Sequence, residues 1–139
     1  MATASAEETR AAAAELATVL PADTTLALHG DLGVGKTTFV QGLAHGLGIA
    51  ARVTSPTFAL YSIYDGPRGR LIHLDAYRLH GPEQIASLLL EDFLTSPFCL
   101  AVEWPEKTGS WLPPEAWHLT LSIAGEERHR LQLSPESGG

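Results

Sequence analysis

The spacing of apolar positions changes several times along the chain, and each change marks an element. Ala12, Ala13, Leu16, Val19 and Leu20 form the apolar side of a helix. Ser5-Ala6-Glu7-Glu8 reads as its capping box and Pro21 as its stop. Thr24 to His29 is short, apolar and β-prone, which predicts a strand, and Gly30 to Gly35 is a glycine-rich loop. Phe39, Val40, Leu43 and Leu47 then restore helical spacing, up to Gly48. Phe58 to Tyr64 and Leu71 to Leu74 are strand-like, and the turn Asp65-Gly66-Pro67-Arg68-Gly69 between them implies an antiparallel hairpin. Gly81-Pro82-Glu83 opens a third helix, with Ile85, Leu88, Leu89 and Phe93 on its buried face. Phe98 to Val102 is apolar throughout, as a central strand covered on both faces would be. Trp117 to Ile123 and Arg130 to Leu133 read as a closing pair of strands, and Ser134 to Gly139 as a frayed tail.

This order predicts a small α/β layered domain, a mixed parallel and antiparallel sheet flanked by helices. The length of 139 residues suits one domain, 1–139, and 45% hydrophobic against 18% charged residues allows a core. No apolar run is long enough to suggest a membrane span, and Glu7 and Glu8 ahead of an alanine run do not read as a signal peptide. The net charge of −7 argues against a protein that grips nucleic acid by itself. The single cysteine, Cys99, excludes an internal disulfide and a cysteine metal cluster. A cytoplasmic location is expected.

Gly30-Asp31-Leu32-Gly33-Val34-Gly35-Lys36-Thr37 matches the phosphate-loop pattern G-x-x-x-x-G-K-S/T in full, between a strand and an amphipathic helix. Glycines let the backbone curl so that successive N–H groups point at phosphate oxygens, and the helix N-terminus adds its positive dipole end. Lys36 is expected to reach the β- and γ-phosphates and the Thr37 hydroxyl to bind Mg2+. The same pattern places Asp31, Leu32, Gly33, Val34 and Gly35 around the phosphates of a bound nucleotide.

A magnesium nucleotide site also needs an acid from a neighbouring strand. Asp75, after Leu71-Ile72-His73-Leu74, and Glu103, after Phe98 to Val102, both end strands, where open α/β sheets bind ligands. The plain alternatives are a turn cap for Asp75 and a solvent-facing acid for Glu103. Thr54-Ser55-Pro56-Thr57 is either a nucleotide-sensing switch or an ordinary strand entry with a rigid proline. The six histidines show no metal-ligand spacing, and His29 is expected to pack at a strand end.

These motifs together resemble the TsaE family, formerly YjeE, the bacterial ATPases needed to make threonylcarbamoyladenosine in tRNA. The resemblance is carried by the phosphate loop through Thr38-Phe39, by Ser55-Pro56-Thr57-Phe58, by Leu74-Asp75-Ala76-Tyr77-Arg78-Leu79 and by Val102-Glu103-Trp104-Pro105, in family order. It implies Thr37 and Glu103 as magnesium ligands and Asp75 as the acid essential for hydrolysis. It places Thr9 near the adenine and Arg128 on the nucleotide. It also implies two protein partners, TsaB and TsaD, which would hold most of the tRNA. The chain departs from the family at Pro82-Glu83-Gln84-Ile85 and Leu89-Leu90, where P-x-E-L and a Gly-Leu pair are usual.

The leading expectation is therefore a magnesium-dependent ATPase subunit of tRNA threonylcarbamoylation, slow alone and stimulated by partners. A small-molecule kinase is the alternative, but the seven arginines form no lid-like cluster beyond Arg68/Arg70 and Arg128/Arg130. A GTPase with the N-K-x-D guanine motif is impossible in a chain without asparagine. A nucleotide-sensing module without turnover is a further possibility.

Overall fold

The computed structural model describes residues 2–3, 6–30, 35–50, 53, 61–77, 79, 90–125 and 128–134. Residues 81–89 of the expected third helix, the Thr54 to Thr57 segment, loop residues Asp31 to Val34, and 135–139 lie outside these residues, as does Ser5 of the expected capping box, while the described end of that helix, Leu90–Phe93, is a short 3-10 turn. The strands are β1 (Ala2–Thr3), β2 (Thr24–His29), β3 (Tyr61–Gly66), β4 (Gly69–Asp75), β5 (Phe98–Glu103), β6 (Trp117–Gly125) and β7 (Arg128–Ser134). The helices are α1 (Ala6–Val19) and α2 (Lys36–Gly46).

The strands form one sheet in the order β1-β7-β6-β2-β5-β4-β3. β6, β2, β5 and β4 run parallel to one another, while β3 on β4, β7 on β6 and β1 on β7 are antiparallel. The sheet is thus mixed, as the sequence predicts, with β5 between β2 and β4 at its centre. Pro67 and Arg68 join β3 to β4, so the strands run further into the turn than the pattern suggests. Asp65 pairs with Arg70 across that end, and Arg70 Nε donates to Asp65 Oδ1 at 2.6 Å. Ser134 completes β7 opposite His118 and is not part of a tail.

Strand alternation sorts the two cores. Leu26, Leu28, Leu71, Cys99 and Ala101 face one side with α2 residues Phe39, Val40 and Leu43. Ile72, Leu74, Leu100 and Val102 face the other, with Leu79 and Leu90. The same period-two pattern puts His73, Asp75 and Glu103 on the α2 side. Cys99 is buried there, and burial pushes its thiol up to about 12.

The close approach of α1 to α2 depends on Gly42. A Cβ at Gly42 would lie 2.4 Å from the Arg10 carbonyl oxygen and 2.6 Å from Ala13 Cβ. Gly46 abuts Ala14 and Ala17 in the same way, so the helices run side by side in the same direction. This brings buried Thr9 level with the first turns of α2. Because the obstacle at Gly42 is backbone, Gly42→Ala is expected to cost about 1–3 kcal/mol. A thermal melt checks this: the variant should melt several degrees lower, and an unchanged midpoint would mean the helices are not tightly seated.

Candidate functional site

The C-terminal ends of β2, β5 and β4 and the first turn of α2 meet at one edge of the sheet. Gly35 precedes α2 with φ 95°, a left-handed conformation that a side chain would strain, and no side chain caps the helix. The first turn of α2, from Lys36 to Thr38, carries the positive end of the helix dipole. Thr37 and Thr38 are half-buried there.

Lys36 is only 4% exposed. Its Nζ donates to the Gly30 carbonyl at 2.8 Å, lies 3.9 Å from Glu103 Oε1 and sits 4.1 Å from the centroid of the Trp104 ring. Glu103 is buried as the last residue of β5. The register sets it between Leu28 on β2 and Asp75 on β4. The plain alternative for Glu103, an acid facing solvent, does not describe this position.

Glu103 has a second partner that sequence reasoning missed. His73 is fully buried, and its Nε2 donates to Glu103 Oε2 at 2.5 Å. The signal in the sequence was present: positions 71, 73 and 75 share one face, so a histidine two residues before Asp75 in an apolar strand points the same way as the acid. Leaving such a buried carboxylate unpaired would cost several kcal/mol.

Asp75 is half-buried beside Glu103, and its Oδ1 accepts from the Tyr77 backbone N–H at 3.0 Å. The turn-cap reading is therefore met by one oxygen. Past the sheet edge, Trp104 adopts φ 57° and ψ 54°, unusual for a bulky side chain. Its ring is held by Lys36 and, at 5.1 Å, by half-exposed Tyr77. Strain of this kind clusters where a site fixes a side chain.

The structure brings Lys36, Glu103 and Asp75 to one edge, with Thr37 and Thr38 in the adjoining turn. Thr9 lies on α1, buried between the helices and engaged in contacts of its own. Arg128 begins β7, paired opposite Gly125. Asp31, Leu32, Gly33 and Val34, and with them Ser55 and Thr57, lie outside the described residues. Among the described residues no group of three or more His, Cys, Asp or Glu side chains forms a metal cluster. The oxygen donors at the edge, a carboxylate and a threonine hydroxyl, suit a hard divalent cation that takes its remaining ligands from phosphate and water.

His29, at the end of β2, stacks on His118 of β6 with ring centroids 5.0 Å apart, and the rings are hydrogen-bonded at 2.7 Å. Burial lowers His29 below its ordinary 6.5, with His118 and Lys36 acting the same way and Glu106 opposing. Burial also lowers His118. Just below pH 6.5 the unfolded chain therefore binds more protons than the folded one. The stability of the neutral pair is present above that pH and lost as pH falls below it. Melting temperature should fall more steeply from about pH 7 to about pH 5.5 in the wild type than in His29→Gln/His118→Gln. Parallel slopes would show that the pair does not titrate with folding.

Comparison with known proteins identifies the family. The family model described as "Threonylcarbamoyl adenosine biosynthesis protein TsaE" matches residues 3–131. The chain is similar to the tRNA threonylcarbamoyladenosine biosynthesis protein TsaE of Nostoc sp., 38% identical over 124 residues, covering 86% of this chain and 75% of that one. It is similar to the protein of the same name from Aquifex aeolicus, 40% identical over 135 residues, covering 93% and 90%. The crystal structure of Bacillus subtilis YdiB superposes with a TM-score of 0.81 at 32% identity, covering 99% of this chain and 84% of that one. With a sheet of the same architecture and a family match over nearly its whole length, the chain belongs to the TsaE family of threonylcarbamoyladenosine biosynthesis proteins.

Proposed function

We propose that the protein is a magnesium-dependent ATPase that serves tRNA threonylcarbamoylation together with TsaB and TsaD. The observation that carries the reading is the buried Lys36 ammonium 3.9 Å from the Glu103 carboxylate, in the first turn of a helix that follows a phosphate-loop sequence. Two unit charges at that separation attract by roughly 4 kcal/mol at an effective dielectric near 20. That attraction holds the lysine at the sheet edge, and the γ-phosphate would compete for it.

In this reading Lys36 binds phosphate oxygens with the α2 N–H groups, and Asp31 to Gly35 and Thr38 wrap the phosphates. Thr9 and Arg128 contact the rest of the nucleotide. Thr37 and Glu103 hold magnesium, which when bound offsets the phosphate charge. Asp75 orients the attacking water or the metal with the oxygen that does not cap Tyr77. Gly42 and the helix pair keep α2 rigid behind the loop. No helix among the described residues is long and apolar enough to cross a membrane. The net negative charge fits a subunit that leaves most tRNA contact to its partners. Retention on TsaB and TsaD that changes with ATP and magnesium is the expected result of a pull-down, and no retention under any nucleotide condition would count against the complex.

Lys36→Ala is expected to abolish hydrolysis and remove most ATP affinity, because the ammonium gives the loop its only side-chain cation. Calorimetry with ATP decides this, and unchanged affinity would sink the phosphate-loop assignment. Asp75→Ala is expected to lower partner-stimulated turnover by about 10²-fold or more with ATP affinity nearly intact, since its role lies in the transition state. If Asp75 only caps the turn, the variant should instead lose about 1 kcal/mol of stability and keep its turnover. Melting temperature, ATP affinity and turnover on one preparation separate the two.

A further inference from the structure

The His73–Glu103 contact reaches beyond the roles assigned so far. His73 is 0% exposed, so it cannot touch nucleotide. Its Nδ1 is buried with no hydrogen-bond partner among the described residues. An aliphatic residue would fill this strand position without stranding a nitrogen, and Ile72 and Leu74 on either side show that the strand otherwise takes one. What the imidazole supplies is a single bond, Nε2 to Glu103 Oε2. That bond divides the carboxylate: Oε2 is held by the sheet, and Oε1 is the oxygen toward Lys36.

We propose that His73 is a positioning residue for the nucleotide-bound magnesium, holding one oxygen of Glu103 through Nε2 so that the other is presented to the metal beside Lys36. The proposal rests on the reading of Glu103 as a magnesium ligand. Ligating carboxylates are commonly fixed by an outer hydrogen bond, and losing that partner weakens metal binding about 10- to 100-fold. The donor must sit where Nε2 sits. A glutamine at position 73 places its amide nitrogen there, an asparagine stops one bond short, and a leucine offers none.

The test is calorimetry of the full chain with two ligands, ATP with magnesium and ADP in a chelator. His73→Leu is expected to lose about 10- to 100-fold in affinity for magnesium-ATP while metal-free ADP binding is retained. His73→Gln should recover most of that loss. If His73→Leu does not fold, His73→Asn against His73→Gln gives the same comparison. Unchanged magnesium-ATP affinity in the donor-free variant, or an equal loss for both ligands that glutamine does not rescue, overturns the proposal. Glu103→Ala measured alongside separates the two levels. If it leaves the magnesium dependence intact, the metal reading of Glu103 fails and the role of His73 fails with it. If it removes that dependence and His73→Leu does not, the proposal for His73 alone is overturned.

Discussion

A carboxylate buried at the end of the central strand constrains everything around it. Glu103 is out of water, and a charge there persists only with partners. Lys36 supplies the opposite charge at 3.9 Å and His73 a direct hydrogen bond at 2.5 Å. The roughly 4 kcal/mol of attraction at that charge separation is of the same order as the cost of desolvating the ions, and the imidazole bond adds to it. The three groups come from β5, α2 and β4, which makes the seating of those elements and the geometry of the site one problem.

The sheet order solves it. β5 lies between β2, which feeds the phosphate loop, and β4, which ends in Asp75. Parallel register sets Leu28, Glu103 and Asp75 in one row, and strand alternation turns that row toward α2. The helix is held close by Gly42 against α1, so Lys36 starts within reach of the acid. The αL turn at Trp104 folds the chain back immediately, putting an aromatic ring over the ammonium. The outer strands β3, β7 and β1 widen the sheet on either side of the four parallel strands.

Much of this was legible in the sequence. The alternation of strand and helix periods located β2, α2, β4, β5 and the closing pair, because half-buried and fully buried elements impose periods the residues must obey. Asp75 and Glu103 stood out because both end strands, where open α/β sheets bind ligands. The two-residue β1 and the short helical turn at Pro105–Trp111 were not anticipated, since segments so short carry no period. The role of His73 is not legible in the sequence, because its partner is thirty residues away and only the β4–β5 register brings them together. The His29–His118 contact was hidden for the same reason.

Membership of the TsaE family places the protein in tRNA threonylcarbamoyladenosine formation, and the ATPase role proposed for the sheet edge lies within that process. The most direct measurement is a crystal structure of the protein with manganese and a non-hydrolysable ATP analogue, with the metal located by its anomalous signal. The expected result is a manganese ion ligated at about 2.0–2.2 Å by the Thr37 hydroxyl and by the Glu103 oxygen that His73 does not hold. Lys36 should then have left the Gly30 carbonyl for the phosphates. A metal held by phosphates and water alone, with Glu103 still paired to Lys36, would contradict it.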